Sequence, residues 1–340
     1  MTKERITSMH GAGGEVAGKL LEELILPRLA ELPSDRLGVS ALDDGATLPT
    51  PRDGELVITT DSYVVKPVFF PGGDIGKLAA AGTLNDLAVM GACPTALTLA
   101  AVIEEGFLIS DLERIVDSFV SELKAVGVAL ACGDTKVMPH GDVDGIILNT
   151  TGIGVAARAI SDASIQPGDH ILVTGTIGDH GMALLAARSD FHLETPLTSD
   201  VAVIWPLVEQ ALAVVGGVRA MKDPTRGGLA AALNEMARKA DVCLEIDEAS
   251  IPVRDEVRGL SELLGISHLD VANEGKAILI VDPAHAKDVL QTLREHPLGA
   301  SAALIGEATT EYPGRVIVGT EVGGRRFLDM PLGDPVPRIC

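Results

Sequence analysis

Residues 74–90 have the sequence DIGKLAAAGTLNDLAVM. The spacing of small and apolar residues predicts a helix from Asp74 to Met90 with a small-residue face. Around it, helices are predicted at Gly18 to Leu32 and Asp111 to Val126, and strands at Leu56 to Thr60, Thr95 to Ile103, Val128 to Ala131 and Gly145 to Val155. Strands and helices therefore alternate through this half of the chain.

The same alternation continues after a change in composition at Ser161 to Asp169, where Pro167-Gly168 indicates a turn. Helices are predicted at Asp179 to Arg188, Val201 to Val215 and Gly228 to Ala240, and strands at His170 to Thr174, Cys243 to Ile246, Ala277 to Val281, Ala302 to Ile305 and Val316 to Val318. The pattern predicts α/β (or α+β) layering in two domains, 1–160 and 161–329. Residues 330–340 contain three prolines and show no hydrophobic periodicity. This composition predicts an extended tail.

Composition narrows the class of function. The formal net charge is −21, and nothing in the 340 residues offers a run of Lys or Arg to a polyanion. Nucleic acid is therefore an unsuitable ligand. A nucleotide bound by so acidic a protein requires metal ions between carboxylates and phosphates. We expect a metal-dependent small-molecule site.

Targeting and redox signals predict a cytoplasmic protein. The polar N-terminus lacks the apolar segment of a signal peptide, and no apolar stretch reaches the ~18 residues of a membrane span. The four cysteines have no C-x-x-C spacing, which disfavours structural zinc. We expect reduced thiols.

Two common nucleotide motifs are absent. Gly13 to Lys19 satisfies G-x-x-x-x-G-K, but Leu20 replaces the Ser or Thr that a P-loop uses for Mg²⁺. A dinucleotide fingerprint fails because Val16 occupies the third glycine position.

Acidic residues at predicted strand ends and in a helix favour a magnesium–nucleotide site instead. They lie in Asp43-Asp44-Gly45-Ala46, Thr59-Thr60-Asp61, Asn85-Asp86 and Gly133-Asp134-Thr135-Lys136. Mg²⁺ is typically held by a few carboxylates together with substrate phosphates. Taken singly, each Asp is equally explained as a helix cap or a turn residue. Their combination with glycine loops indicates the metal site.

Two glycine loops precede helices. His10-Gly11-Ala12-Gly13-Gly14 and Asp223-Pro224-Thr225-Arg226-Gly227-Gly228 offer backbone N–H groups, and the second adds a cation. Such loops wrap phosphates at helix N-termini. The first is explained equally well as a flexible terminus. Asn273-Glu274-Gly275-Lys276 supplies a candidate base before a strand.

Cys340 stands apart from the other cysteines, which we interpret as small hydrophobic residues. It closes a Pro-containing tail and is not followed by the three residues that prenylation requires. An accessible, movable thiol suits a covalently carried group. Ten extended residues reach roughly 30 Å, so the tail can alternate between an inward and an outward pose.

Five motifs occur in the order seen in the aminoimidazole-ribonucleotide synthetase (PurM-like) superfamily, which the sequence resembles over nearly the whole chain. They are Asp43-Asp44-Gly45-Ala46, Thr59-Thr60-Asp61-Ser62, Gly82-Thr83-Leu84-Asn85-Asp86-Leu87, Gly133-Asp134-Thr135-Lys136 and Asp223-Pro224-Thr225-Arg226-Gly227-Gly228. The stretch Phe69 to Lys77 and the ending Pro337-Arg338-Ile339-Cys340 resemble its hydrogenase-maturation branch, the HypE family. The resemblance implies a two-domain fold with an N-terminal mixed-sheet dimerisation domain, a ferredoxin-like C-terminal α/β domain and a homodimer. It implies that HypF carbamoylates Cys340, that ATP and Mg²⁺ drive dehydration to a thiocyanate, and that the cyano group passes to iron in HypC–HypD.

The candidate site residues come from these motifs, from the first glycine loop and from the segment Asn273 to Lys276. Catalytic roles are expected for Cys340, Lys136 and Glu274. Metal ligands are expected at Asp43, Asp44, Asp61, Asp86 and Asp134. Nucleotide contacts are expected from His10, Gly11, Gly13, Gly14, Asp44, Asp61, Asn85, Asp86, Asp134, Thr135, Asp223, Arg226, Gly227 and Gly228.

Two other functions fit parts of the sequence. The first is an ATP-dependent phosphotransferase of the same superfamily, similar to selenophosphate synthetase or to thiamine-phosphate kinase. Selenophosphate synthesis would favour a reactive Cys in the first glycine loop, which has none. A non-catalytic thiol carrier would show no ATP turnover and no effect of changing Asp86 or Asp134.

Overall fold

Two β-sheets, one in each half of the chain, organise the protein. The computed structural model describes residues 14–19, 22, 46–49, 54–188, 195–320, 322–333, 335–336 and 338–340. Helix α1 is Gly14–Lys19, and the N-terminal sheet contains β1 (Ala46–Pro49), β2 (Glu55–Tyr63), β5 (Cys93–Glu104), β6 (Ala129–Met138) and β7 (Ile146–Ala156). Their spatial order is β1-β2-β7-β5-β6, with β6 parallel to β5 and the other pairs antiparallel. The mixed-sheet expectation is confirmed.

Two helices cover this sheet, α2 (Ile75–Val89) and α3 (Ile109–Val126), after a short hairpin of β3 (Phe69–Phe70) and β4 (Gly73–Asp74). The Asp74 side chain caps α2 by accepting from the backbone N–H groups of Gly76 and Lys77 at 2.8 and 3.0 Å. Helix α2 is buried on almost every side, which fits a sequence made mostly of small and apolar residues. The predicted helix is confirmed to within one residue at each end.

Glycine lets α2 lie very close to its neighbours. A Cβ added at Gly76 would lie 2.1 Å from the Ile115 carbonyl oxygen in α3. One added at Gly82 would lie 2.4 Å from the Tyr63 hydroxyl oxygen in β2. This close approach brings the middle of α2 against β2.

The C-terminal half is built on a seven-stranded sheet. Its strands are β8 (His170–Val173), β9 (Val218–Lys222), β10 (Cys243–Asp247), β11 (Ile278–Val281), β12 (Ala303–Thr309), β13 (Val316–Gly319) and β14 (Arg325–Phe327). They lie in the order β14-β13-β10-β12-β8-β11-β9. The helices are α4 (Asp179–Ala187), α5 (Trp205–Leu212), α6 (Gly228–Ala240), α7 (Asp255–Leu264) and α8 (Ala286–Glu295). The two-domain α/β prediction is confirmed.

Several element predictions were incomplete or wrong. The elements that were not predicted are β1, β3, β4, β9, β14, α7 and α8. Helix α7 buries only Val257 and Leu260. Strands β2 and β6 run past their predicted ends to Tyr63 and Met138. Asp61 and Asp134 therefore lie within strands rather than after them. Among the described residues, no helix is both long and apolar enough to cross a bilayer.

The described part of the tail is docked against both halves. Val336 and Ile339 are buried. The Lys66 backbone N–H donates to the Arg338 carbonyl at 3.1 Å, and the Arg338 side chain donates to the Val64 carbonyl at 3.2 Å. His180, from α4, contacts the Ile339 carbonyl. In this structure the tail has the inward pose.

Candidate active site

A polar pocket of about 190 Å³ lies between the two halves. It is lined by Thr59, Thr60, Asp61, Gly82, Asp86, Asp223, Thr225, Arg226, Glu274 and Cys340. Strand β2, helix α2, the loop before α6, the segment before β11 and the tail each contribute. Four carboxyl groups face one guanidinium, which makes the pocket acidic.

The first wall is formed by β2 and α2. The Thr59 hydroxyl donates to an Asp86 carboxylate oxygen at 2.8 Å and so orients it. Burial raises the pKa of Asp61, while the Arg226 guanidinium, 3.9 Å from its carboxylate, opposes that rise. Asp61 and Asp86 are thus presented side by side to the cavity.

The opposite wall carries the cation. Gly227 and Gly228 have φ angles of 77° and 61°, in the left-handed region that favours glycine. This turn places Thr225 and Arg226 in the pocket lining immediately before α6 begins. The negative charge at Cys340, followed by that of Asp61, raises the pKa of Arg226. Arg226 is the group that offsets the carboxylates.

Glu274 is the most perturbed acid of the pocket. It is 3% exposed, and its Oε1 atom has no hydrogen-bond partner among the residues that the structure describes. Burial raises its pKa well above 4.5, and the neighbouring Asp223, Asp200 and Asp61 raise it further. A buried carboxyl group with a raised pKa that lines the same pocket as Cys340 is suited to proton transfer.

Asn85 has a different role from the predicted nucleotide contact. It is buried, and its amide N–H groups donate to the carbonyls of Ala202 and Glu274 at 3.0 and 3.1 Å. Its Oδ1 atom accepts from the Ile204 N–H at 2.9 Å. All three partners are backbone groups of the C-terminal half. Asn85 therefore ties α2 to the segment that carries Glu274.

The structure brings together some of the predicted residues but not all of them. Asp61, Asp86, Asp223, Arg226, Glu274 and Cys340 line one pocket. Asp134, Thr135 and Lys136 are exposed on the edge strand β6 and do not line it. Gly14 lies beside Pro331, at the start of α1. His10, Gly11, Gly13, Asp43 and Asp44 lie outside the described residues.

Residues that the sequence did not single out also shape the site. Thr59 and Thr60 lie in the motif Thr59-Thr60-Asp61, of which only Asp61 was predicted to bind a ligand. His180 lies within Gly178-Asp179-His180-Gly181, whose glycines flanking an ionisable pair were the available signal. Its ring is buried and bonded to the tail.

Carboxylate oxygens are the donors that Mg²⁺ prefers, and Asp61 and Asp86 supply them. In the part of the chain that is described, however, no three acidic, histidine or cysteine side chains converge to hold a metal ion. The donor chemistry therefore fits a magnesium ion that receives further ligands from elsewhere, such as phosphate oxygens.

Family models match both halves. Residues 42–156 match the AIR synthase related protein N-terminal domain, and residues 166–319 match the corresponding C-terminal domain. The chain is 51% identical over 340 residues to a putative hydrogenase expression/formation protein of Methanocaldococcus jannaschii, covering 99% of this chain and 100% of that protein. It is 44% identical to the carbamoyl dehydratase HypE of Cupriavidus necator, covering 99% and 95% of the two chains.

Solved structures agree in three dimensions. A HypE in complex with ATP is 39% identical, with a TM-score of 0.82, and covers 99% of this chain and 100% of its own. A HypE–HypF complex contains a chain with 40% identity and a TM-score of 0.84, covering 91% and 100%. Thiamine monophosphate kinase of Aquifex aeolicus, at 18% identity and a TM-score of 0.66 over 89% of this chain and 97% of that one, shares the fold. The chain belongs to the HypE family of hydrogenase-maturation proteins.

Proposed function

We propose that this protein is an ATP-dependent carbamoyl dehydratase that converts an S-carbamoyl group on Cys340 into a thiocyanate. The observation that carries the proposal is the position of Cys340 in one pocket with Glu274 and Arg226. Family membership supports it, because relatives 42–44% identical are named carbamoyl dehydratase HypE. The nucleotide-bound HypE structure supports ATP as the co-substrate.

The reaction balances as a dehydration driven by phosphoryl transfer. The thiocarbamate oxygen attacks the γ-phosphorus of ATP and ADP leaves. The nitrogen then loses two protons in all, the C–O bond breaks, and the oxygen departs within inorganic phosphate. The carbon is left triply bonded to nitrogen and singly bonded to the Cys340 sulfur. Phosphorylation makes a poor leaving group into a good one.

The pocket side chains supply proton transfer and charge. Glu274 is buried, and its Oε1 atom has no hydrogen-bond partner among the described residues. In its carboxylate form it is proposed to accept a proton from the thiocarbamate nitrogen, and its raised pKa makes that carboxylate a stronger base. Arg226 is proposed to stabilise negative charge on the transferring group. Enclosure between the two halves limits access of water to the activated intermediate.

Magnesium is proposed as the companion of ATP. Asp61 and Asp86 would hold it, together with Asp43 and Asp44, which lie outside the described residues. The ion would neutralise phosphate charge. Without such a cation the acidic pocket would repel a triphosphate.

The partner is proposed to be the carbamoyltransferase HypF, because a related HypE has been solved in complex with HypF. HypC–HypD is proposed as the acceptor of the cyano group. Cys93 and Cys243 are free thiols, which fits a reducing cytoplasm.

A homodimer is proposed through β6. Within the described sheet this strand is at an edge and pairs only with β5. It presents Leu130 and Val137 to solvent, 48% and 67% exposed. An edge strand with apolar side chains is suited to covering by another chain. A second copy at this edge is also a route by which Asp134, Thr135 and Lys136 would reach an active site.

Intact mass spectrometry tests the proposal. The protein is incubated with HypF, carbamoyl phosphate and ATP, and then with or without further Mg-ATP. We expect a carbamoyl adduct on Cys340 that loses the mass of one water only when ATP is hydrolysed. The Cys340→Ala variant should take up neither mass. An adduct that persists with ATP would favour the thiol-carrier function, and an adduct on Cys340→Ala would overturn the assignment.

A further inference from the structure

The peptide immediately before the reactive thiol is bound by a buried histidine. The His180 ring is 0% exposed, and its Nε2 atom lies 3.0 Å from the carbonyl oxygen of Ile339. The other ring nitrogen, Nδ1, lies 2.7 Å from the Ser199 hydroxyl. Both nitrogens therefore have partners inside the protein.

The partners determine which nitrogen carries the proton. A carbonyl oxygen only accepts, so Nε2 must donate to Ile339. Burial lowers the pKa of His180, so the ring is neutral near pH 7 and Nδ1 accepts from the Ser199 hydroxyl. The Ser199 oxygen in turn accepts from the Val201 N–H at 3.0 Å. A backbone group thus orients the serine, the serine fixes the tautomer, and the ring presents its N–H to the tail.

Arg338, one residue further from the thiol, makes other polar contacts, and one of them lies nearer to solvent. Arg338 pairs with Asp144, which is 60% exposed, and an exposed pair contributes little to stability. A hydrogen bond in a buried site is stronger, because water does not compete for it. The Ile339 carbonyl is also covalently adjacent to Cys340, so fixing it limits the positions open to the thiol.

We propose that His180 is a positioning residue, which holds Cys340 in the pocket by donating a hydrogen bond to the Ile339 carbonyl. This role deepens the proposed function, since it rests on Cys340 being the reacting thiol. It also predicts behaviour of the unmodified protein, in which no chemistry takes place. With the bond in place the thiol is shielded in the pocket, and without it the tail samples the outward pose more often.

The test compares four full-length variants with the parent protein. His180→Leu removes both hydrogen bonds, whereas His180→Gln retains an amide N–H that can reach the carbonyl. Ser199→Ala removes the group that sets the tautomer and leaves the ring in place, so it is the milder variant if His180→Leu folds poorly. His170→Gln, in β8, is the matched control for a histidine-to-glutamine change.

The first measurement is the rate at which iodoacetamide alkylates Cys340 in the folded, ATP-free protein, with the site assigned by peptide mass. We expect His180→Leu to raise this rate about five- to tenfold and Ser199→Ala to raise it less, as the loss of one buried hydrogen bond implies. His180→Gln should restore most of the protection, and His170→Gln should match the parent protein.

The second measurement is single-turnover dehydration of pre-carbamoylated protein at saturating ATP. We expect a lower rate for His180→Leu with an unchanged Kd for ATP, because the nucleotide contacts remain. An unchanged alkylation rate in both His180→Leu and Ser199→Ala would overturn the proposal, even if dehydration proceeds normally. If the parent protein never dehydrates but His180→Leu exposes Cys340, the proposed function fails and the positioning role stands.

Discussion

Glu274 shows how one residue acquires a chemical property from its surroundings. A glutamate in water has lost its proton at neutral pH, whereas here burial and nearby carboxylates favour the protonated form. The sequence indicated an acid before a strand, but it did not show the burial or the neighbours. The burial of Glu274 and its neighbouring carboxylates depend on contacts between distant segments, such as the hydrogen bond from Asn85 to the Glu274 carbonyl.

Replacement of Glu274 by Gln is expected to abolish dehydration while leaving carbamoylation intact. Gln keeps the shape but cannot accept the proton, and a lost general base costs about 10²- to 10⁴-fold in rate. Single-turnover mass spectrometry with pre-carbamoylated protein would measure this loss. Glu248→Gln, outside the pocket, is the matched control and should behave as the parent protein does. A full dehydration rate in Glu274→Gln would remove Glu274 from the mechanism.

The same substitution should change how stability depends on pH. The unfolded chain loses the Glu274 proton near 4.5, whereas the folded protein retains it to higher pH. Between these two values the unfolded state binds fewer protons, so the free energy of unfolding falls as pH rises, by at most about 1.4 kcal/mol per pH unit. Urea unfolding at several pH values should show that the free energy of unfolding of Glu274→Gln rises relative to that of the parent protein as the pH increases above 4.5. A constant difference across that range would contradict the pKa shift.

Helix α2 is the element that joins the two halves. It contributes Asp86 to the pocket and uses the adjacent Asn85 to bind three backbone groups of the C-terminal half. Adjacent residues on a helix point about 100° apart, which allows one to face the cavity and the other the interface. The predicted metal ligand and the interdomain contact are thus neighbours in sequence with separate duties.

Asn85→Ala is expected to destabilise the protein by about 2–4 kcal/mol. The Ala202 carbonyl and the Ile204 N–H lose the partner that Asn85 provides, and the Glu274 carbonyl keeps a longer bond from the Ala202 N–H, at 3.4 Å. Asn149→Ala is the control. The side-chain amide of Asn149 donates to the Asp61 carbonyl of β2. This site is half-buried, so a water molecule can replace the lost amide. Chemical denaturation would compare the two variants. Equal losses would argue against an interdomain role for Asn85.

Sequence patterns predicted elements better than they predicted the site. The helix Gly228 to Ala240 was confirmed at both ends, because left-handed glycines start it and Asp241 ends it. Asp134 and Lys136 were grouped with the pocket residues because their strand was expected to end there. The strand continues to Met138, so the group lies on an exposed edge. Strand length depends on pairing with β5, which local sequence does not reveal.

At the scale of the whole molecule, the tail connects the two halves. Ile339 is buried, but the tail follows the last strand and belongs to neither sheet, so undocking it would not require either sheet to unfold. We expect Ile339→Ala to lower Tm by only ~1–4 °C, because the loss cannot exceed the free energy of docking the tail. Ile280→Ala, in the fully buried strand β11 of the second sheet, should lower Tm more. Differential scanning calorimetry would compare them, and equal losses would show that the tail is an integral part of the core.

The docked tail contacts Val64 and Lys66 of one half and His180 and Arg188 of the other. An acceptor protein that captures the thiol must break this bridge, and the cleft between the halves is then free to widen. Transfer of the cyano group and release of ADP would therefore occur in one step. Stopped-flow measurement with a fluorescent ADP should show faster release once the acceptor is added, and an unaltered release rate would separate the two steps.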